Sequence, residues 1–495
     1  GKSKKVLSDY KGWEKTSRGE EDTVERVCRG CDKSDGIGGN RMKVQEYLST
    51  VTEQIRCKQA REMVSEELRE HILDQAKAYE EEGMFEEEAL ERAVKEMGDP
   101  VETGVALDGI HRPKLSVGLL ILIGMISLCS IAVHGMLGMY TQEVSGAGYW
   151  YLRHHIFYLF LGYLMMFLVY RLDYSILARH ARKAAIIFFA LVCLGGTLFG
   201  IEINGAKLYL RLGAFYLFLP TVMSLYVPLY GGLLYSYRGE GYKGILKLLL
   251  WAAVPVWFTF RLPAFSQGVV LWCTLMVLLG VTIWKGWYSV RKKSALTLTG
   301  VLFTAPIWSI LGRALLGGFA NYQTARIQAF LTNSPDGNYL TIRMREFLSG
   351  SKMFGSNTEQ IFELGKFPGF NNDYIFVSLI SAYGIFAGIL VAALLAYLLI
   401  KIFHVSFHQK NQLGMILGCG CGMVYLFQIL LSIGMNLGLL PTTAAILPFF
   451  SSGGSGIVIS YILLGLVLSV YRYQNILSDK PAPAKTLTLR FSLKI

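Results

Sequence analysis

The sequence predicts an all-α, polytopic membrane protein with about ten transmembrane helices, preceded by a small cytoplasmic helical domain. Three observations carry this. First, 53% of the 495 residues are hydrophobic and only 17% charged, with a mean hydropathy of +0.40; soluble domains carry roughly a quarter charged residues. Second, the charge is divided along the chain. Residues 1–112 hold 19 Lys+Arg against 26 Asp+Glu, net −7, and residues 113–495 hold 29 against 10, net +19. Third, long apolar runs begin at Leu115 and recur almost to the C-terminus. The basic excess does not point to nucleic acid, because multi-span proteins concentrate Lys and Arg in cytoplasmic loops.

Residues 1–41 are polar and aperiodic, and the first methionine, Met42, follows Gly38-Gly39-Asn40-Arg41. Translation is therefore expected to begin at Met42, with 1–41 a non-native leader; the alternative is a disordered tail. Cys28-x-x-Cys31 has no second pair, so neither a zinc site nor a disulfide framework is read from it.

Residues 42–112 read as a compact helical prefix domain. Val44, Tyr47, Leu48, Val51 and Ile55 recur at helical spacing. A second helix runs through Met63, Leu68, Ile72, Leu73 and Ala76 to a stop at Gly83. A third, Phe85 to Met97, ends at Gly98-Asp99-Pro100. The pairs Glu67-Leu68, His71-Ile72, Gly83-Met84 and Glu88-Ala89 and the run Met97-Gly98-Asp99-Pro100 resemble the permease-prefix (HAAS-type) domains that precede some membrane proteins. An acidic bundle of this kind fits a regulatory role and equally a solvated folding appendage.

The apolar runs are Leu115–Leu137, Leu152–Tyr170, Ala184–Gly200, Phe215–Leu234, Ile245–Phe260, Val269–Trp284, Leu296–Leu316, Ile375–Phe403, Leu413–Leu431 and Gly456–Val470. Each is near the ~20 residues a bilayer requires. Basic clusters precede the first run and follow the even-numbered ones, as at Arg179/Arg182/Lys183 and Lys285/Arg291/Lys292/Lys293. Both termini, including the tail 476–495, are thus expected in the cytoplasm. The one long outside loop is 317–374, and a loop of that length usually carries function. The ten acidic residues of this body all avoid the middles of the runs. That disfavours an ion-driven pump, which needs an intramembrane carboxylate relay.

Four stretches carry chemistry. They are Asn372-Asp373-Tyr374-Ile375-Phe376, Gln428 through Ile433-Gly434-Met435 to Gly438-Leu439-Leu440-Pro441, Leu447-Pro448-Phe449-Phe450-Ser451-Ser452-Gly453-Gly454-Ser455, and Asn204-Gly205-Ala206-Lys207 with Arg211. In this order and on this topology they resemble the SEDS family, the RodA/FtsW/SpoVE cell-wall glycan polymerases. The resemblance implies a peptidoglycan glycosyltransferase that polymerises lipid II in elongation, division or sporulation. It implies Asp373 as catalytic base, inversion in one displacement, a class B penicillin-binding protein as partner, and a multi-pass place in the bacterial cytoplasmic membrane among its lipids. No cofactor is expected, and a divalent cation is left open.

The chemistry can be stated on the residues themselves. A hydroxyl attacking an anomeric carbon needs a carboxylate to take its proton, and a leaving diphosphate needs cations or backbone donors. Lys207, Arg211, Arg326, Arg343 and Lys352 lie in expected outside segments, against the usual charge bias. Each is a candidate for the anionic substrate and, taken singly, equally a solvated loop cation. Ser451, Gly453, Gly454 and Ser455 could cradle a phosphate, or allow close helix packing, the reading slightly preferred. His404 and His408, four apart without an acid, are read as no metal site, and His154-His155 as interfacial.

The chain departs from the family pattern where Val222, Leu225, Ala264, Ala382-Tyr383, Ser432 and Ser452 replace polar or charged residues. A catalytically degenerate scaffold or regulator is therefore the alternative, and a lipid-precursor flippase a more distant one. Topology is testable directly. In a cysteine-free background, a cysteine at Glu202 should react with an impermeant thiol reagent from outside cells and one at Glu240 should not; outside labelling at 240 would overturn the N-in arrangement.

Overall fold

The computed structural model describes residues 37–145, 148–203, 206–213, 215–262, 264–315, 339–356, 363–364 and 366–474. The chain divides into two units, 1–112 and 113–495.

The first unit holds α1 (Ile37–Gln54), α2 (Lys58–Glu81), α3 (Glu86–Glu96) and α4 (Pro100–Ile110). The α1 residues expected at its core, Val44, Tyr47, Leu48 and Val51, are buried, as is Ile55 beyond it. On α2 the buried set is Ala60, Val64, Ile72 and Ala76, whereas Leu73 is exposed. Gly83 and Gly98 stop α2 and α3 with φ of +97° and +82°. Gly98-Asp99-Pro100 is a start as well as a stop. The Asp99 carboxylate accepts the Val101 N–H at 2.7 Å, and Pro100 sits in the first turn of a fourth helix. Helix α1 begins at Ile37, ahead of Met42. Residues 1–36 and the tail from 475 lie outside the described residues.

The second unit runs α5 (Val117–Ser145), α6 (Gly148–Arg171), α7 (Ile176–Arg179), α8 (Ala181–Leu198), β1 (Gly200–Ile203), β2 (Ala206–Leu212) and β3 (Phe215–Phe218). Next come α9 (Leu219–Val222), a 3₁₀ turn, α10 (Tyr226–Ser236), α11 (Tyr242–Arg261), α12 (Phe265–Trp284), α13 (Lys292–Phe303), α14 (Ala305–Leu315) and α15 (Tyr339–Ser349). The last four are α16 (Ile375–Tyr383), α17 (Ile385–Phe407), α18 (Gln412–Asn436) and α19 (Gly454–Arg472). Eight of these, α5, α6, α8, α11, α12, α17, α18 and α19, are long and apolar enough to cross a membrane. Helix α19 is the most enclosed, with 78% of its apolar window buried, and α8 the least at 17%, so α19 lies at the centre and α8 at the rim.

The sequence differs from the structure at three runs. Phe215 opens a strand, not a span. Leu208, Leu210 and Leu212 alternate with Lys207, Tyr209 and Arg211, a period of two that favours a strand. The result is an antiparallel sheet in the order β1-β2-β3, pairing Leu210 with Leu217 and Tyr209 with Phe218. An otherwise all-helical bundle thus carries one small sheet at one end. The seventh run is two helices meeting at Thr304, because Pro306 cannot donate to the preceding turn. The eighth is broken at Gly384, whose φ is +95°.

That break is filled by the chain before it. The Ile385 and Phe386 amides, opening α17, donate to the Lys352 and Met353 carbonyls (3.0 and 3.2 Å), and the Gly355 amide donates to the Tyr383 carbonyl (3.0 Å). A Cβ on Gly384 would stand 2.6 Å from the Met353 carbonyl oxygen. Gly384→Ala combines this collision with a left-handed backbone and should lower stability by about 1–3 kcal/mol. A thermal melt of the purified protein in detergent would show it, and an unchanged midpoint would mean the break tolerates a side chain.

Candidate functional site

Asp373 closes a turn that starts at Gly369, φ +75°. The Asn372 and Tyr374 amides both donate to the Gly369 carbonyl (3.0 and 3.1 Å), and Ser378 Oγ reaches back from α16 to the Phe370 carbonyl at 2.6 Å. The Asp373 side chain is half-buried, and Asn372 Nδ2 donates to its Oδ1 at 3.2 Å. No cation pairs with it among the described residues. Burial alone pushes its carboxyl up to about 6.

Asn436 ties this turn to the end of α18. Fully buried, it donates through Nδ2 to the Asp373 carbonyl (2.9 Å) and to Ser432 O (2.8 Å), while its Oδ1 accepts the Val377 N–H (3.1 Å). One amide thus holds both sides of Tyr374. The other tie is the 447–455 stretch. Ser451 Oγ donates to the Asn372 carbonyl (2.8 Å) and accepts the Leu447 N–H (2.8 Å). The Ser452 amide donates to Asn371 O (2.9 Å), and the Gly453 amide to Asn372 Oδ1 (3.1 Å). Asn372 is therefore oriented at both ends, with its oxygen on Gly453 and its nitrogen on Asp373.

The glycines here serve packing. A Cβ on Gly454 would come within 2.3 Å of the Tyr158 ring, and the Gly453 amide is already bonded to Asn372. Ser455 Oγ accepts the Phe218 N–H at 3.2 Å, joining α19 to the sheet. On that sheet Tyr209 and Arg211 share one face of β2, whereas a bulge at Leu208 pairs Lys207 with Glu202 and turns it to the other face. The Tyr209 hydroxyl is raised by burial and then by the negative charge of Asp373. Lys207 Nζ donates to the Thr197 carbonyl (3.0 Å) and Arg211 Nε to the Gly213 carbonyl (3.3 Å), and both side chains are exposed. Arg343 is engaged elsewhere, paired with Glu346 at 2.8 Å and Glu363 at 3.3 Å. Lys352 lies at the Gly384 break and joins it through its carbonyl. Arg326 lies outside the described residues, as do Asn204 and Gly205 of the sheet motif.

Of the residues expected at the site, Asp373 and Ser451 are brought together through Asn372; the sequence did not single out Asn436, Tyr209 or His134, which lie among these contacts or packed beside them. Asn436 carried a signal, since it is the one amide in the last turn of a long apolar helix. His155, read as interfacial, is fully buried against His134; only its neighbour His154 stays among surface aromatics, 3.9 Å from Trp150 between ring centroids. Among the described residues no group of three or more metal-ligating side chains forms. Ala264 and Ala382, expected to stand in place of acids, are buried. Neutral bonds hold the nearby loop, with Ser266 Oγ and Gln267 Nε2 both donating to Ala444 O (3.0 and 3.2 Å).

The pattern of the FTSW_RODA_SPOVE family, described as cell cycle protein, matches residues 113–476. A probable peptidoglycan glycosyltransferase FtsW of Hydrogenovibrio crunogenus is 26% identical over 65% of this chain and 82% of its own length. Its counterpart in Legionella pneumophila is 27% identical over 77% and 94%. Among solved structures, a chain from work on the structural coordination of polymerization and crosslinking by a peptidoglycan synthase complex superposes with a TM-score of 0.58 at 20% identity. It spans 73% of this chain and 99% of its own. Thermus thermophilus RodA superposes at 0.51 and 20% identity, over 73% and 97%. The motifs, the helical architecture and a match covering most of the chain agree: this protein belongs to the FtsW/RodA/SpoVE family.

Proposed function

We propose that the chain is a peptidoglycan glycosyltransferase of the cytoplasmic membrane that polymerises lipid II, with Asp373 as general base. The observation that carries this is a half-buried carboxylate, bonded by Asn372 and without a cation partner among the described residues. Relatives described as probable peptidoglycan glycosyltransferases support the reaction class. In the step proposed, an acceptor sugar hydroxyl attacks the anomeric carbon of the lipid-linked donor. The C–O bond to the diphosphate breaks with inversion, Asp373 takes the hydroxyl proton, and the lipid diphosphate leaves. Lys207 and Arg211, both exposed on β2, are candidates for the diphosphate charge. The partner proposed is a class B penicillin-binding protein, in keeping with the synthase complex described for one structural neighbour. Both termini are proposed to lie in the cytoplasm.

The buried alanines 264 and 382 favour a second reading, a scaffold that keeps the fold without the activity. A polymer assay with purified protein, lipid II and a penicillin-binding protein of the same organism separates the two. Polymer from the wild type supports the enzyme; none with any such partner supports the scaffold.

Two further outcomes follow if the enzyme reading holds. Asp373→Asn keeps the shape and loses the base, so polymer yield should fall by about a hundred- to ten-thousand-fold with expression unchanged. A variant as active as wild type would move the base elsewhere. The pH profile follows from the carboxyl at about 6. A base works ionised, so the rate should be full above that value and drop about tenfold per pH unit below it. A limb near pH 4 would mean that burial does not set the base strength.

A further inference from the structure

Phe449, next to the proline of the 447–455 stretch, has a left-handed backbone, φ +70°, alone among described non-glycine residues. Such a conformation is unfavourable for a residue with a Cβ and persists where its surroundings over-determine it. Those surroundings are three buried side chains from two other helices. Ser130 and His134 stand one turn apart on α5, and His155 on α6. Ser130 Oγ donates to the Phe449 carbonyl at 2.8 Å, and His134 Nε2 meets the Phe450 carbonyl at 2.7 Å. A carbonyl only accepts, so His134 carries its hydrogen on Nε2. The single Ser130 proton is on Phe449, so Ser130 Oγ must accept at its 2.8 Å contact with His155, which then also carries hydrogen on Nε2. The two imidazoles pack with centroids 3.8 Å apart. Two donors thus converge on adjacent carbonyls of a strained turn, and a third orients one of them.

The far side of that turn is the hydrogen-bonded seam to Asn371 and Asn372, and Asn372 holds the Asp373 carboxylate. We propose that Ser130, His134 and His155 are positioning residues, a clamp that keeps Phe449 left-handed and so aims the Asp373 carboxylate through Ser451 and Asn372. The effect on reaction rests on the glycosyltransferase reading; the effect on the turn does not.

The test uses the full chain in lipid nanodiscs with Ser130→Ala, His134→Phe and the conservative Ser130→Thr. Hydrogen exchange of the Phe450–Gly453 amides should speed up by about tenfold or more in the first two variants, without change in α18. In the polymer assay the same variants should lose about tenfold in kcat with KM for lipid II unchanged, as expected for a misplaced base. Ser130→Thr should restore both. Unchanged exchange at 450–453 overturns the clamp, as does exchange rising equally through α18, which would make these residues general supports of the fold. Faster local exchange with wild-type kcat overturns the link to Asp373. A wild-type chain that makes no polymer sinks the enzymatic reading, and with it the role in reaction, while exchange still decides the clamp.

Discussion

Backbone polar groups at a helix break that is buried away from water must be satisfied by protein. This constraint organises the site end of the bundle. Helix α16 is only nine residues long and breaks from α17 at Gly384. At its start Asn436 takes the Val377 amide, and at its end Gly355 caps the Tyr383 carbonyl. The Tyr383 hydroxyl bonds the Ala132 carbonyl of α5. A short helix so fixed at both ends presents the turn before it in one place, and that turn carries Asp373. The break thus directs the chain so that the turn carrying Asp373 meets the end of α18 and the stretch before α19 together.

The same constraint explains the chemistry of the supports. Asn372, Asn436, Ser451 and Ser378 are all neutral and each bonds backbone. Neutral amides and hydroxyls satisfy backbone groups without the desolvation penalty of a buried charge. Cations of the site end lie farther out, with Lys207 and Arg211 exposed on β2 and Arg343 in an ion-pair group with Glu346 and Glu363. Polar but uncharged inside, charged at the mouth, the arrangement suits a substrate whose anionic group stays near water while its reacting hydroxyl approaches a less hydrated base.

Much of this was legible in the sequence, and what was not had physical causes. Hydropathy counts residues and not their geometry, so an apolar run reads the same whether straight or broken. Ile375–Phe403 gave no sign of its break beyond Gly384, one glycine among many. Lys207 to Arg211 carried strand alternation, but inside a segment taken for a loop between spans. The Asp373 motif was found because its residues are contiguous. Asn436, Ser130, His134 and His155 were missed because their partners lie far away in the chain, and an isolated polar residue on an apolar helix does not announce what it will meet. Ser130 and His134 do share a face at a spacing of four, the one local hint that they act on the same target.

The neutral residues at positions 222, 264 and 382 bear on the charge around Asp373. Two carboxylates in one site raise each other's pKa, and an adjacent cation lowers it. Here neither operates: positions 222, 264 and 382 are Val, Ala and Ala, and no cation pairs with Asp373 among the described residues. Its rise to about 6 comes from burial alone. A base tuned by charge depends on which charged neighbours are present, whereas a base tuned by burial depends on packing, and packing at this turn is set by the hydrogen bonds around it. On the proposed reading, the Asn372 seam, the strained Phe449 and the donors on α5 bear on the strength of Asp373 as a base as well as on its direction. On that view the replaced acids and the neutral clamp are two sides of one arrangement, in which geometry carries what charge does not.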